Sequence, residues 1–176
     1  MKNQIGICER LSMKNLYLIG GAMGIGKTAV CQQLKKDLPN SVFLDGDWCW
    51  DADPFQVTEE TKTMVIDNIC YLLNNFLSCS AYDNVIFGWV MHQQKIIDSI
   101  ISKLTIHNCN IYCISLVCTP DVLKERLYKD IADGKRSPEV IKKSVSYLSM
   151  YRLLYKKRID TSNFYVKQIA DIIANL

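Results

Sequence analysis

The chain has 176 residues, of which 49% are apolar, enough to bury the core of one globular domain. A formal charge of +3 is too small to make nucleic acid a main partner, and no apolar stretch reaches the ~18 residues of a membrane span. These bounds lead us to expect one domain, and anionic small substrates remain compatible with the charge; with no secretory signal we expect a cytoplasmic protein, its oligomeric state left open.

Residues 1–12 are polar and unpatterned and stand directly before Met13, so they are expected to be a flexible arm or to precede the true start of translation. Residues 13–176 read as one domain. A short apolar run over 16–19 predicts the first strand. The segment Gly21-Ala22-Met23-Gly24-Ile25-Gly26-Lys27-Thr28 then fits the pattern G-x-x-x-x-G-K-[ST], and a helix-period segment over 27–38 follows. Strand, glycine loop and helix form the context in which this pattern cradles a nucleoside triphosphate. Backbone N–H groups of the loop converge on the phosphates, and the helix adds the positive end of its dipole. Lys27 is placed to meet the β- and γ-phosphates and Thr28 to offer its hydroxyl to Mg²⁺. The candidate nucleotide contacts are therefore Gly21, Ala22, Met23, Gly24, Ile25, Gly26, Lys27, Thr28 and Ala29.

A second strand over 41–44 runs into Asp45-Gly46-Asp47, two carboxylates one residue apart. If the chain stays extended there, both point to one face, toward the phosphate loop. One carboxylate then steadies Mg²⁺ and the other accepts a proton from a substrate hydroxyl. The next residues, Trp48-Cys49-Trp50-Asp51-Ala52-Asp53-Pro54-Phe55, supply stacking surfaces in Trp48 and Trp50 and acids able to meet an amine. A helix is predicted over 58–78 and a strand over 85–90. The latter ends in Trp89, Met91 and His92, of which Trp89 and His92 are candidate acceptor contacts.

Further helices are predicted over 92–106, 120–132, 137–156 and 164–175, with strands over 111–117 and near 158–160. Thr119-Pro120 and Ser137-Pro138 mark helix starts, and Asp133-Gly134 a helix stop. The Lys156-Lys157-Arg158 cluster reads as a solvated helix end. Strands alternating with helices define an α/β fold with a parallel sheet covered on both faces and ligands at the carboxyl ends of its strands. The eight cysteines form no C-x-x-C pair and read as reduced, mostly buried small hydrophobes.

Four segments together resemble the small P-loop kinases: the phosphate loop, Phe43-Leu44-Asp45-Gly46-Asp47, Val117-Cys118-Thr119-Pro120 followed by Leu123 and Arg126, and Arg158-Ile159-Asp160-Thr161-Ser162. That group includes shikimate kinase, gluconate kinase, the chloramphenicol phosphotransferase and the nucleoside monophosphate kinases. The resemblance covers most of the chain from Met13 onward, and the phosphate loop is its most specific motif. It implies a three-layer P-loop NTPase fold of nucleotide-kinase type, with a five-stranded parallel sheet and helices on both faces. It further implies ATP and Mg²⁺, and transfer of the γ-phosphoryl group to a small-molecule acceptor. Carried over by motif, Asp45 resembles the aspartate near the metal and Asp47 the one that binds and deprotonates the acceptor hydroxyl. Arg126 and Arg136 resemble lid arginines, which stabilise charge on the transferring phosphoryl group. Asp160 and Thr161 fall where the group places its adenine, the acceptor region spans about 46–80, and the lid about 126–137. The chain departs from the group after its third strand, where no D-x-x-G motif occurs.

Within this reading the D-G-D version of the loop favours a hydroxyl acceptor over a nucleoside monophosphate. A phosphorylated acceptor calls for more arginines over 45–95, where the only cations are Lys62 and Lys95. The alternatives are a nucleoside monophosphate kinase and, from another class, a nucleotide-binding switch or regulatory ATPase acting through a protein partner.

Overall fold

The computed structural model describes residues 13–154 and 157–176. The arm or upstream segment expected at 1–12, with Cys8, lies outside them. Five strands form one parallel sheet: β1 (Lys14–Gly21), β2 (Ser41–Asp45), β3 (Asn84–Trp89), β4 (Cys109–Val117) and β5 (Lys157–Asp160). Their order is β2-β3-β1-β4-β5, so the phosphate loop leaves from the middle of the sheet. Six helices follow the strands: α1 (Lys27–Asp37), α2 (Glu59–Ser78), α3 (Gln94–Ser102), α4 (Pro120–Ala132), α5 (Val140–Leu153) and α6 (Val166–Ala174). This is the expected α/β architecture.

Two glycines on neighbouring strands show that the sheet is covered on both sides. Gly88 of β3 and Gly20 of β1 stand one register step apart, so they face opposite ways. A Cβ on Gly88 would press on Cys31 of α1, and one on Gly20 would meet Tyr151 of α5. Leu16, Ile19, Val85, Ile86 and Phe87 in the central strands are completely buried, which explains why these strands read as continuous apolar runs. The end of the sheet opposite the phosphate loop carries a ladder of asparagines in register. Asn15 Nδ2 donates to Asn84 Oδ1 at 3.0 Å, and Asn110 Nδ2 to Asn15 Oδ1 at 3.1 Å. Asn84 Nδ2 also donates to the carbonyl of Pro39 at 2.8 Å, so this 5%-exposed amide is satisfied on both atoms.

Helix ends follow local chemistry. Thr58 caps α2 in a reciprocal capping box with Thr61, and Thr119 accepts from Val122 N at the start of α4, where Pro120 occupies the first turn. The helix expected over 92–106 is shorter, because Lys103 N and Leu104 N bond three residues back to Ile100 and Ile101 and tighten the last turn. That expected over 137–156 begins at Val140, since Ser137 and Pro138 form a turn that Val140 N and Ile141 N close. Tyr155 and Lys156 lie outside the described residues.

The described cysteines are free. Cys31, Cys70 and Cys118 are buried, and Cys49, Cys79, Cys109 and Cys113 are half-buried, so fewer are sealed in the core than expected. Among the described residues no helix is long and apolar enough to cross a membrane.

Candidate active site

The loop between β1 and α1 wraps the carboxyl end of the central strand. Gly26 begins α1 with φ of 102°, a left-handed value that a side chain would resist, and a Cβ built there meets nothing within 4 Å. The loop is therefore open beside Gly26. Ile25 is buried and Ile25 N bonds Ala22 O at 3.3 Å, which holds the turn closed. Lys27 folds back over this turn, its Nζ donating to Ala22 O at 3.1 Å. Burial lowers the Lys27 pKa to about 8; the carboxylates of Asp47 and Asp45 oppose this shift, and Arg136 adds to it. The ammonium thus sits in a partly dry site, bonded to Ala22 O and favoured by the charge of two nearby acids.

Asp45 joins the loop to the following segment. Its Oδ2 accepts from Thr28 Oγ1 at 2.9 Å, and its Oδ1 accepts from the backbone N–H of Asp47 at 3.1 Å. The extended geometry expected past Asp45 does not occur. Asp45 ends β2 and caps a short 3₁₀ turn over Gly46–Cys49, so Asp47 reaches the site by folding back rather than by strand alternation. Its carboxylate is exposed and accepts from Trp89 Nε1 at 3.1 Å. A Cβ on Gly46 would lie 2.3 Å from the Trp89 ring, so only glycine lets this indole come so close.

Beside these groups opens a cavity of about 850 Å³, lined by Asp47, Trp50, Trp89, His92, Arg136 and Tyr147 among others. Trp50 packs against Phe55, with ring centres 4.4 Å apart, and His92 stacks on Tyr147 at 4.0 Å and 8°. Burial lowers the His92 pKa; a contact with the Val90 backbone raises it, and Lys143 and Lys95 lower it further. Arg136 pairs with Asp130 at 3.1 Å and lies on the cavity wall.

Three expectations change. Trp48 does not line this cavity: it is 63% exposed and packs edge-on against Phe43. Arg126 is not turned to the cavity either. Its Nη1 donates to Ile25 O at 3.2 Å and Thr161 Oγ1 at 3.0 Å, and its Nη2 to Thr161 O at 2.7 Å. It braces the phosphate loop against the end of β5. Thr161 is fully buried and its hydroxyl is taken by Arg126, so it has no free side chain to offer a base; Asp160 beside it is exposed.

The motifs missed Lys143 and Tyr147, both on α5. The signal available was their spacing of four on a helix whose core face carries Ser144, Leu148 and Tyr151.

The residues present suit nucleotide and Mg²⁺. Among the described residues no cluster of three or more His, Cys, Asp or Glu could hold a metal by itself. The paired Thr28 hydroxyl and Asp45 carboxylate supply the few oxygen ligands that a hard cation shares with phosphates and water.

A family model described as AAA domain matches residues 18–143. No curated protein matches the chain. Solved structures do, at low identity. The tunicamycin resistance protein of Deinococcus radiodurans superposes with a TM-score of 0.64 at 19% identity, covering 92% of this chain and 94% of that one. A gluconokinase from Sinorhizobium meliloti gives 0.64 at 15%, covering 90% and 89%. The shikimate kinase of Acinetobacter baumannii, solved with shikimate, gives 0.59 at 20%, covering 93% and 92%. The fold is thus that of the small P-loop kinases.

Proposed function

Because the chain belongs to the AAA domain family and has this fold, we propose that it is an ATP-dependent phosphotransferase that moves the γ-phosphoryl group of ATP to the hydroxyl of a small acceptor. One observation carries the reading: the Asp45 carboxylate touches both Thr28 of the phosphate loop and the backbone of Asp47. A single side chain so fixes the distance between the triphosphate site and the acid that faces the acceptor cavity.

In this reading the loop Gly21–Ala29 binds the triphosphate, and Lys27 moves from Ala22 O onto the β- and γ-phosphates. Asp160, at the carboxyl end of β5, borders the base. Thr28 and Asp45 would hold Mg²⁺, which would supply neutralising charge to the phosphates. Asp47, oriented by Trp89, receives the proton of the acceptor hydroxyl, and Arg136 offsets charge on the transferring group from the cavity wall. Arg126 acts by positioning the loop. Trp50, Trp89 and His92 contact the acceptor. Most of the catalysis is then positioning and electrostatics.

The test is ATP consumption with Mg²⁺ across hydroxylated metabolites, phenicols, aminoglycosides, nucleosides and nucleoside monophosphates, beside Lys27→Ala as a blank. An acceptor that raises turnover well above the blank supports the proposal, and Asp47→Asn should then keep nucleotide binding and lose transfer. Turnover indifferent to every acceptor would sink it.

A further inference from the structure

The cavity is charged in a way the sequence does not reveal. Five lining side chains are cationic, Lys62, Lys95, Lys103, Arg136 and Lys143, against two carboxylates, Asp47 and Glu59. Three of the cations are already engaged: Lys62 by Glu59 at 2.7 Å, Lys103 by Asp67 at 2.5 Å, and Arg136 by Asp130 at 3.1 Å. Lys95 and Lys143 belong to no ion pair among the described residues. They come from different helices yet both act on His92, which lies on the same wall. Lys95 stands in the first turn of α3, which has no acidic residue and no side-chain cap, and the preceding Gln93 also lines the cavity. The positive end of that helix therefore adds to the two lysines, while Glu59, an acid whose charge reaches Lys95 from the cavity wall, is already paired with Lys62. Asp51 and Asp53, the acids available to an amine, are exposed and are not among the lining residues.

We propose that the acceptor carries, apart from its hydroxyl, an anionic group, a carboxylate or phosphate monoester, bound by Lys95 at the start of α3 and Lys143 on α5. Its carbon skeleton lies against Trp50, Phe55 and Trp89. The assignment rests on the kinase reading for the role of the hydroxyl alone. The cations that a charged acceptor needs, sparse over 45–95, are completed by Lys143, far along the chain.

Trp50 and Trp89 line the cavity, so tryptophan fluorescence reports binding without turnover. Gluconate, shikimate and glucose 6-phosphate would be titrated against gluconamide, shikimate methyl ester and glucose, with glucosamine as a cation, in the wild type and in Lys95→Gln/Lys143→Gln. The proposal expects at least one anion to bind saturably, its neutral counterpart about tenfold or more weaker, and the anion's advantage to vanish in the double variant while nucleotide affinity is kept. It is overturned if no anion binds, if the neutral or cationic probe binds as well, or if the double variant binds the anion as tightly as the wild type. The kinase reading fails on a separate readout, when a bound anion is not phosphorylated in the presence of ATP and Mg²⁺.

Discussion

The indole Nε1 of Trp89 donates to Asp47 Oδ1 at 3.1 Å across Gly46, where a Cβ would lie 2.3 Å from the ring. The last residue of β3 thus aims an acid that belongs to the segment after β2. Trp89→Phe keeps the ring and removes the donor. We expect kcat to fall about tenfold or more through misplacement of Asp47, with nucleotide affinity unchanged. Steady-state kinetics beside equilibrium nucleotide binding checks this, and a variant with undiminished kcat would show that the hydrogen bond is idle.

Lys27 sets two opposite pH dependences. Its pKa in the free protein is about 8, below its ordinary 10.5, chiefly through burial. A triphosphate prefers the ammonium, so binding above pH 8 must take up a proton and nucleotide affinity falls as pH rises through that value. Stability of the ligand-free protein runs the other way. Between about 8 and 10.5 the unfolded chain holds more protons on this lysine than the folded one, so stability rises with pH there. Lys27→Met should flatten both profiles, measured by nucleotide titration and by urea unfolding across pH 7 to 10.

Arg126 donates to Ile25 O and to both oxygens of Thr161. Arg126→Ala leaves acceptors on two buried residues, Ile25 and Thr161, unpaired, at about 1–3 kcal/mol. Nucleotide affinity should weaken with stability, because the brace holds the phosphate loop. Arg126→Lys should recover little, since an ammonium cannot span the fork. Thermal unfolding with and without nucleotide separates this from a catalytic role, for which stability would stay at the wild-type value.

Tyr151 is completely buried, and its hydroxyl donates to Gly21 O at 3.0 Å. Tyr151→Phe strands that carbonyl at the entrance to the phosphate loop and should cost about 1–3 kcal/mol in urea unfolding. Loss of less than a few tenths would mean that another donor reaches Gly21.

How far the sequence could be read depends on the distance over which each interaction acts. The β1-loop-α1 unit is fixed by local chemistry, by Gly26, Lys27 and the apolar run before them, and it was legible at once. So were Thr119-Pro120 and the two acids Asp45 and Asp47 after β2, although the turn that carries Asp47 to the site was not: a cap on Asp45 replaced the expected extended segment. Trp48 and Trp50 are alike in sequence, and only the turn between them sends one to Phe43 and the other to the cavity. Arg136 resembles a lid arginine in the sequence, whereas Lys143 enters by tertiary approach from α5, outside every motif.

The brace at Arg126 has a consequence for synthesis of the chain. A nascent polypeptide that has emerged only through α4 holds the whole phosphate-loop motif and the arginine, yet still lacks Thr161, the partner that fixes that arginine. Ribosome-bound chains of increasing length should therefore gain nucleotide affinity only after β5 has cleared the exit tunnel. The motif is written early, and its site is finished last.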